Sequence, residues 1–109
     1  MAKYLLTASY TAEGTKGLLV EGGSGRKAAI EKALDAMGGR LEAMYFAYGE
    51  TDVLLICDVP DAVAGLALSL AANASGTVTA KTTPLITVEE VDAACRKSVA
   101  FRAAGGAGA

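Results

Sequence analysis

Four segments of the chain have the length and composition of β-strands. They are rich in aliphatic, aromatic and threonine residues, and turn-forming residues separate them from their neighbours. In the third segment apolar side chains fill successive positions, which is typical of a strand covered on both faces. The four predicted strands are residues 3–10, 41–48, 52–59 and 77–83.

Turn residues indicate how these strands connect. Gly49-Glu50-Thr51 alone separates the second strand from the third, and so short a link predicts an antiparallel hairpin. The fourth strand is polar, which predicts a position at the edge of a sheet. We expect Pro84 to end it, because proline has no N–H for a ladder of hydrogen bonds.

The strongest helical pattern follows a pair of glycines. Residues 11–21 predict a short, weak helix that Gly22-Gly23 ends, and Ser24 is placed to cap a new helix. Gly38-Gly39 is expected to stop this second helix. Apolar residues recur along it at helical spacing and predict one buried stripe, made of Ala29, Ile30, Ala33, Leu34 and Met37.

Two more helices are predicted after the hairpin. The last begins at Thr87, which has capping-box spacing from Glu90, and it continues through Val91, Ala94 and Cys95. The helix before it begins at Pro60-Asp61 and ends within residues 73–76. Its large apolar residues lie on one side, which comprises Val63, Leu66, Ala67 and Leu70.

The order of these elements predicts an α+β domain. Strand, helix, strand, strand, helix, strand is the ferredoxin-like βαββαβ arrangement with an antiparallel sheet, here followed by an extra C-terminal helix. Both faces of the central strands are apolar, since Leu54 and Ile56 oppose Val53, Leu55 and Cys57. The two main helices can cover only one face. We expect a second copy of the chain to cover the other, and the alternative is that the last helix folds back over it.

Composition limits the class of protein further. The 109 residues fit one domain, predicted at residues 1–104 and followed by a flexible tail at 105–109. Hydrophobic residues make up 52% of the chain and charged residues 20%, which indicates apolar surface that needs a partner.

Neither nucleic acid nor a membrane is an expected partner. The net charge is −2 with scattered Lys and Arg, so no nucleic-acid surface is expected. The longest apolar stretch, residues 62–72, is too short to cross a membrane.

The cysteines and the first residues predict a cytoplasmic protein. No export signal is visible at the start of the chain. Cys57 and Cys95 match no metal or redox spacing, and we expect both to be free thiols that pack as small hydrophobic side chains.

Histidine is absent from the sequence. Its absence excludes three kinds of site: serine or cysteine nucleophiles activated by histidine, histidine metal sites and a haem site with a proximal histidine. We therefore predict neither a metal nor a cofactor, and any catalysis has to use Tyr, Lys, Arg, Asp, Glu, Ser or Cys.

Three sets of residues are candidates for a binding site. In the stretch from Glu21 to Lys27, glycines, a helix N-terminus and the two cations Arg26 and Lys27 are suited to a carboxylate or a phosphate, and the alternative is a capped helix break with solvated charges. Gly49 and Asp52 at the hairpin are either turn residues or ligand contacts. The other candidates lie on or beside strands, where tyrosines also serve as packing residues: Ser9, Tyr10, Tyr45, Tyr48, Lys81 and Thr83.

Several short motifs together resemble a known family. They are Ala8-Ser9-Tyr10-Thr11, Lys16-Gly17-Leu18-Leu19, Gly22-Gly23, Arg26, the Gly-Gly-Arg-Leu-Glu run at 38–42, Tyr45-Phe46, Gly49 and Asp52, Pro60-Asp61, and Thr82-Thr83-Pro84-Leu85. From about residue 3 to residue 90 the chain resembles the GYD domain family. The resemblance implies a small bacterial protein of ferredoxin-like fold, in a family of largely unassigned biochemical function. Thr51 stands where that family has the tyrosine of its Gly, Tyr, Asp signature.

Three functions are consistent with these observations. We expect a homo-oligomeric module that binds a small molecule or serves as an accessory subunit. The first alternative is a cofactor-independent oxygenase or isomerase for a small apolar substrate, because the resemblance to dimeric α+β barrel proteins implies a substrate cavity between sheet and helices. The second is a structural subunit of a larger complex that docks through residues 103–109.

Overall fold

Four strands and three helices alternate along the chain in the computed structural model, which describes residues 1–106. The elements are β1 (Ala2–Tyr10), α1 (Ala12–Ala36), β2 (Arg40–Phe46), β3 (Val53–Val59), α2 (Ala62–Ala74), β4 (Val78–Leu85) and α3 (Val88–Cys95).

The strands form one antiparallel sheet in the order β2-β3-β1-β4. Strand β1 pairs with β3 on one side and with β4 on the other. Leu6 of β1 lies opposite Leu55 of β3 and opposite Thr82 of β4. The α+β class, the antiparallel sheet, the hairpin and the edge position of β4 are confirmed, and the order of elements is compatible with the ferredoxin-like fold. One detail was wrong: β4 continues through Pro84 to Leu85, because an edge strand tolerates a residue without an N–H.

The core lies between the sheet and the first two helices. Leu34 of α1 is completely buried there, while Ile30 and Met37 of the predicted stripe are partly buried and Ala33 is exposed. Alternate residues of the central strands point to this side, as the strand period requires. They are Leu6, Ala8, Val53, Leu55, Cys57 and Val59.

Helix α1 consists of two helical segments joined by a kink at the predicted place. Gly22 has φ 71° and ψ 176°, which breaks the helical path for one residue. The helix resumes at once, so Ser24 lies inside it and the predicted serine cap was wrong. Thr11 caps α1 instead, and its hydroxyl accepts a bond from the Gly14 N–H at 3.2 Å. The helix stops before Gly38, whose φ of 78° confirms the predicted terminator.

Helix α2 packs on the sheet through its small residues. Gly65 is buried, and a Cβ placed on it would lie 2.7 Å from the Tyr4 ring. Val63, Leu66 and Leu70 are exposed, so the apolar side seen in the sequence is not the side in contact with the sheet. Because both sides of this helix are apolar, close approach of the backbone decides which one faces inward.

Helix α3 extends away from the rest of the molecule. The capping box is confirmed, with Thr87 and Glu90 exchanging bonds of 3.0 Å. Every residue from 86 to 106 is exposed, and within the described chain α3 forms no extended contact with the sheet or the other helices. The alternative in which this helix covers the open face of the sheet was therefore wrong. Of the predicted tail, residues 107–109 lie outside the described residues.

The face of the sheet opposite the helices is open. Leu5, Leu54 and Ile56 lie on it, half-buried only by their neighbours in the sheet. One end of this face carries an ionic cluster, in which Asp58 contacts Lys3 at 3.0 Å and Arg40 at 3.2 Å. Lys3 also pairs with Glu42. The bond from Lys3, and then that from Arg40, hold the pKa of Asp58 below its usual value.

Candidate functional site

A cavity of about 320 Å³ lies between the sheet and the two packed helices. Leu6 and Leu55 of the sheet, Ile30 of α1 and Leu68 of α2 form its apolar walls. Space remains because much of the facing helix surface consists of glycine and alanine. These small lining residues are Gly14, Gly17, Ala29, Ala33, Ala71 and Ala72.

The first turn of α1 forms one end wall of the cavity by docking on the turn between α2 and β4. The Thr11 N–H donates to the Thr77 carbonyl at 2.9 Å, and the Thr11 hydroxyl donates to the Gly76 carbonyl at 2.8 Å. Gly14 then fits against the same Thr77 carbonyl, where a Cβ would lie only 1.9 Å from the oxygen. This wall therefore requires a residue without a side chain.

Tyr10, Glu21 and Arg26 provide the charged and phenolic part of the lining. The Arg26 Nη1 lies 3.2 Å from the Glu21 Oε1, so the pair spans the interruption at Gly22. Burial raises the pKa of the Tyr10 phenol above its usual value, and the nearby Arg26 charge opposes this effect. At neutral pH the phenol is thus a hydrogen-bond donor. A cavity with apolar walls and a few convergent polar groups is typical of small-molecule sites.

A family comparison identifies the scaffold that holds this cavity. The family model of the GYD domain matches residues 4–95, which run from β1 to the end of α3. The chain belongs to the GYD domain family. Comparison with curated proteins and with solved structures gives no significant match.

The hairpin of this GYD domain ties β3 to the end of β1. The Asp52 carboxylate accepts a bond from the Tyr10 N–H at 2.8 Å, and the Asp52 N–H donates to the Ala8 carbonyl at 2.9 Å. The Ser9 hydroxyl donates to the Glu50 carbonyl at 2.5 Å. Asp52 and Ser9 are therefore engaged with backbone groups, as the turn interpretation predicts for Asp52. Gly49 does not adopt a positive φ.

The other candidate residues lie away from the cavity. Tyr45, Lys81 and Thr83 belong to the open face, because their cross-strand partners are Leu54, Thr7 and Leu5. Tyr48 is fully exposed in the loop between β2 and β3. Of the eight residues selected from sequence, the structure brings only Tyr10 and Arg26 together at the cavity.

A second, more open depression adjoins the interruption of α1. It has a volume of about 560 Å³, and Leu18, Gly22, Phe46 and Asp52 contribute to its lining. Tyr10 contributes to both depressions. The helix break and the hairpin therefore meet beside the cavity.

Sequence reasoning missed the small residues that make room for the cavity. Ala71 and Ala72 were assigned no role, and Gly14 was only part of the weak helix predicted for residues 11–21. Their density on two helices was the available signal, but small residues serve close packing as often as they leave space.

The two free cysteines differ in burial. Cys57 is buried, and burial raises the pKa of its thiol, whereas Cys95 is exposed on α3 and was wrongly expected to pack inside. Within residues 1–106, no helix combines the length and apolar character that crossing a membrane requires.

Proposed function

We propose that this GYD domain is a homo-oligomeric module that binds a small, largely apolar molecule in the cavity between its sheet and helices. The observation that carries the proposal is the cavity itself, with apolar walls and Tyr10 and Arg26 in its lining. A volume of about 320 Å³ lies at the small end of the range for ligand sites, so it suits a compact ligand.

Binding accounts for the polar residues better than proton transfer does. Tyr10 has a raised pKa, so its phenol stays protonated at neutral pH and is a poor base. Lys81 and Tyr48, two other candidate residues whose side chains can transfer a proton, lie outside the cavity. A donor that remains protonated is useful for orienting a ligand.

Uncovered apolar surface supports self-association. Leu5, Leu54 and Ile56 form an open apolar area in the middle of the sheet. The segment after β4 exposes a second set of apolar side chains that its own domain leaves uncovered: Ile86, Val88, Val91, Val99 and Phe101. Two copies that place their open faces together, in the manner of a dimeric α+β barrel, bury the first surface and bring the second within reach of the partner.

Filling the cavity should abolish binding of an apolar probe. Ala72 lines the cavity, so Ala72→Leu is expected to weaken binding of the neutral dye N-phenyl-1-naphthylamine by about tenfold or more, measured by fluorescence titration. Ala67→Leu makes the same change on the exposed side of the same helix and should leave dye affinity within about twofold. Equal affinities in both variants, or no dye binding by the wild type, would contradict the proposed site.

A charge on the open face should separate the copies. Ile56→Glu places a carboxylate in the centre of that face, and we expect the mass from light scattering at micromolar concentration to fall to that of a monomer. Leu66→Glu, on the exposed side of α2, should keep the wild-type mass. Circular dichroism is the control that tests whether both variants are folded. A wild-type protein that is already monomeric at this concentration refutes self-association.

A further inference from the structure

The Arg26 guanidinium has an unused edge at the cavity. Its Nη1 faces Glu21 at 3.2 Å. Its Nε is buried, and nothing within residues 1–106 accepts a hydrogen bond from it. A buried N–H without an acceptor is costly, and a charged one more so, so the site is incomplete as it stands.

The geometry of a guanidinium determines what would complete it. The Nε and the Nη on the same edge carry two parallel N–H bonds, which match the two oxygens of a carboxylate. Glu21 occupies Nη1 at a distance longer than that of a good charge-assisted hydrogen bond, and it leaves the Nε edge unused. Glu21 therefore positions the guanidinium but leaves its Nε donor without an acceptor.

The surroundings of Arg26 select among anions. Glu21 lies beside the guanidinium, and its negative charge disfavours a doubly charged ligand. Lys27, the other cation considered with Arg26, is exposed and does not line the cavity. The rest of the cavity wall is mostly apolar, so one negative charge and an apolar body are the complementary features.

We propose that the ligand is a small monocarboxylate with an apolar body. Its carboxylate would bind the Nε edge of Arg26, and its body would lie along Leu6, Leu55 and Leu68. This inference rests on the proposed function, since it names the ligand class of the same cavity. Tyr10, protonated at neutral pH, is a second donor in the same lining.

A matched pair of probes tests the ligand class in the full-length protein. Calorimetric titration at pH 7 compares 3-phenylpropionate with 3-phenyl-1-propanol, which have the same skeleton and differ in charge. We expect the wild type to bind the acid about tenfold more tightly than the alcohol or better. Arg26→Gln should remove this preference by weakening binding of the acid, and Arg26→Lys, which keeps the charge but not the paired N–H groups, should restore only part of it.

Lys27→Gln is the control, because it removes the same charge from the neighbouring exposed residue. It should leave the preference for the acid unchanged. A loss as large as that of Arg26→Gln would show a diffuse electrostatic effect and overturn the Arg26 site.

The remaining outcomes separate the ligand class from the cavity function. If the wild type binds both probes equally, the carboxylate proposal fails while the cavity remains a binding site. If phenyl phosphate binds more tightly than 3-phenylpropionate, the ligand class is phosphate and the proposal is overturned. If neither probe nor the neutral dye binds, the proposed function fails as well. Because the first comparison uses only wild-type protein, it decides the question even if an Arg26 variant does not fold.

Discussion

Gly14→Ala is expected to lower the free energy of unfolding by about 3 kcal/mol, the upper end of the usual cost of overpacking. The new methyl group would lie 1.9 Å from the Thr77 carbonyl oxygen and 2.8 Å from the Tyr10 ring. The Thr77 oxygen belongs to the backbone and already accepts the Thr11 N–H, so it cannot move aside without loss of that bond. Urea denaturation followed by circular dichroism measures the effect.

Gly17→Ala provides the matched control in the same helix. Within the described chain, no heavy atom outside its local neighbours lies within 4 Å of a Cβ at Gly17, and the backbone there is helical. Alanine has the higher helix propensity, so this variant should be unchanged or more stable by up to about 1 kcal/mol. Equal destabilisation by the two substitutions would show that the first turn of α1 is not docked on Thr77.

Removal of the central carboxylate of the ionic cluster is expected to have the next largest effect. Asp58→Ala should lower the free energy of unfolding at pH 7 by about 1–2 kcal/mol, because Lys3 and Arg40 lose their shared acceptor. Asp58 is buried, Lys3 is half-buried and Arg40 is mostly exposed, so water replaces the bond lost by Arg40 more readily than the bond lost by Lys3. The same denaturation measurement applies.

The pH dependence of this effect follows from the lowered pKa of Asp58. Between the folded pKa and the unfolded value near 3.9, the unfolded chain binds more protons, so this contribution is complete above about pH 5 and is lost as pH falls. The difference in stability between wild type and Asp58→Asn should therefore shrink as the pH falls below about 5. A constant difference for Asp58→Asn would contradict the ionic explanation.

Features set by neighbouring residues could be predicted from sequence. The break at Gly22, the stop at Gly38 and the capping box at Thr87 each depend on residues within a few positions of one another. The strands followed from composition and from the short hairpin between β2 and β3. The same local pattern placed Arg26 among the candidates, but it did not show that the guanidinium lines a cavity.

Features that depend on tertiary distance could not be predicted. The inward side of α2 is decided by how closely Gly65 approaches Tyr4, which the positions of its leucines do not reveal. The ionic cluster joins Lys3, Arg40 and Asp58 through a register that includes a bulge between Leu41 and Ala43. The pattern of residues along one segment gives neither the Gly65–Tyr4 distance nor the distances within the ionic cluster.

The two outer strands determine what kind of assembly the open face can produce. Pro84 offers no N–H to an additional strand beside β4, and the bulge between Leu41 and Ala43 interrupts the regular ladder of β2 at the other margin. Neither margin is therefore suited to extension of the sheet by a further chain. If two copies associate through the open face as proposed, each contributes one surface and the association is complete once the two surfaces meet, so growth should stop at a closed particle and not continue into a filament.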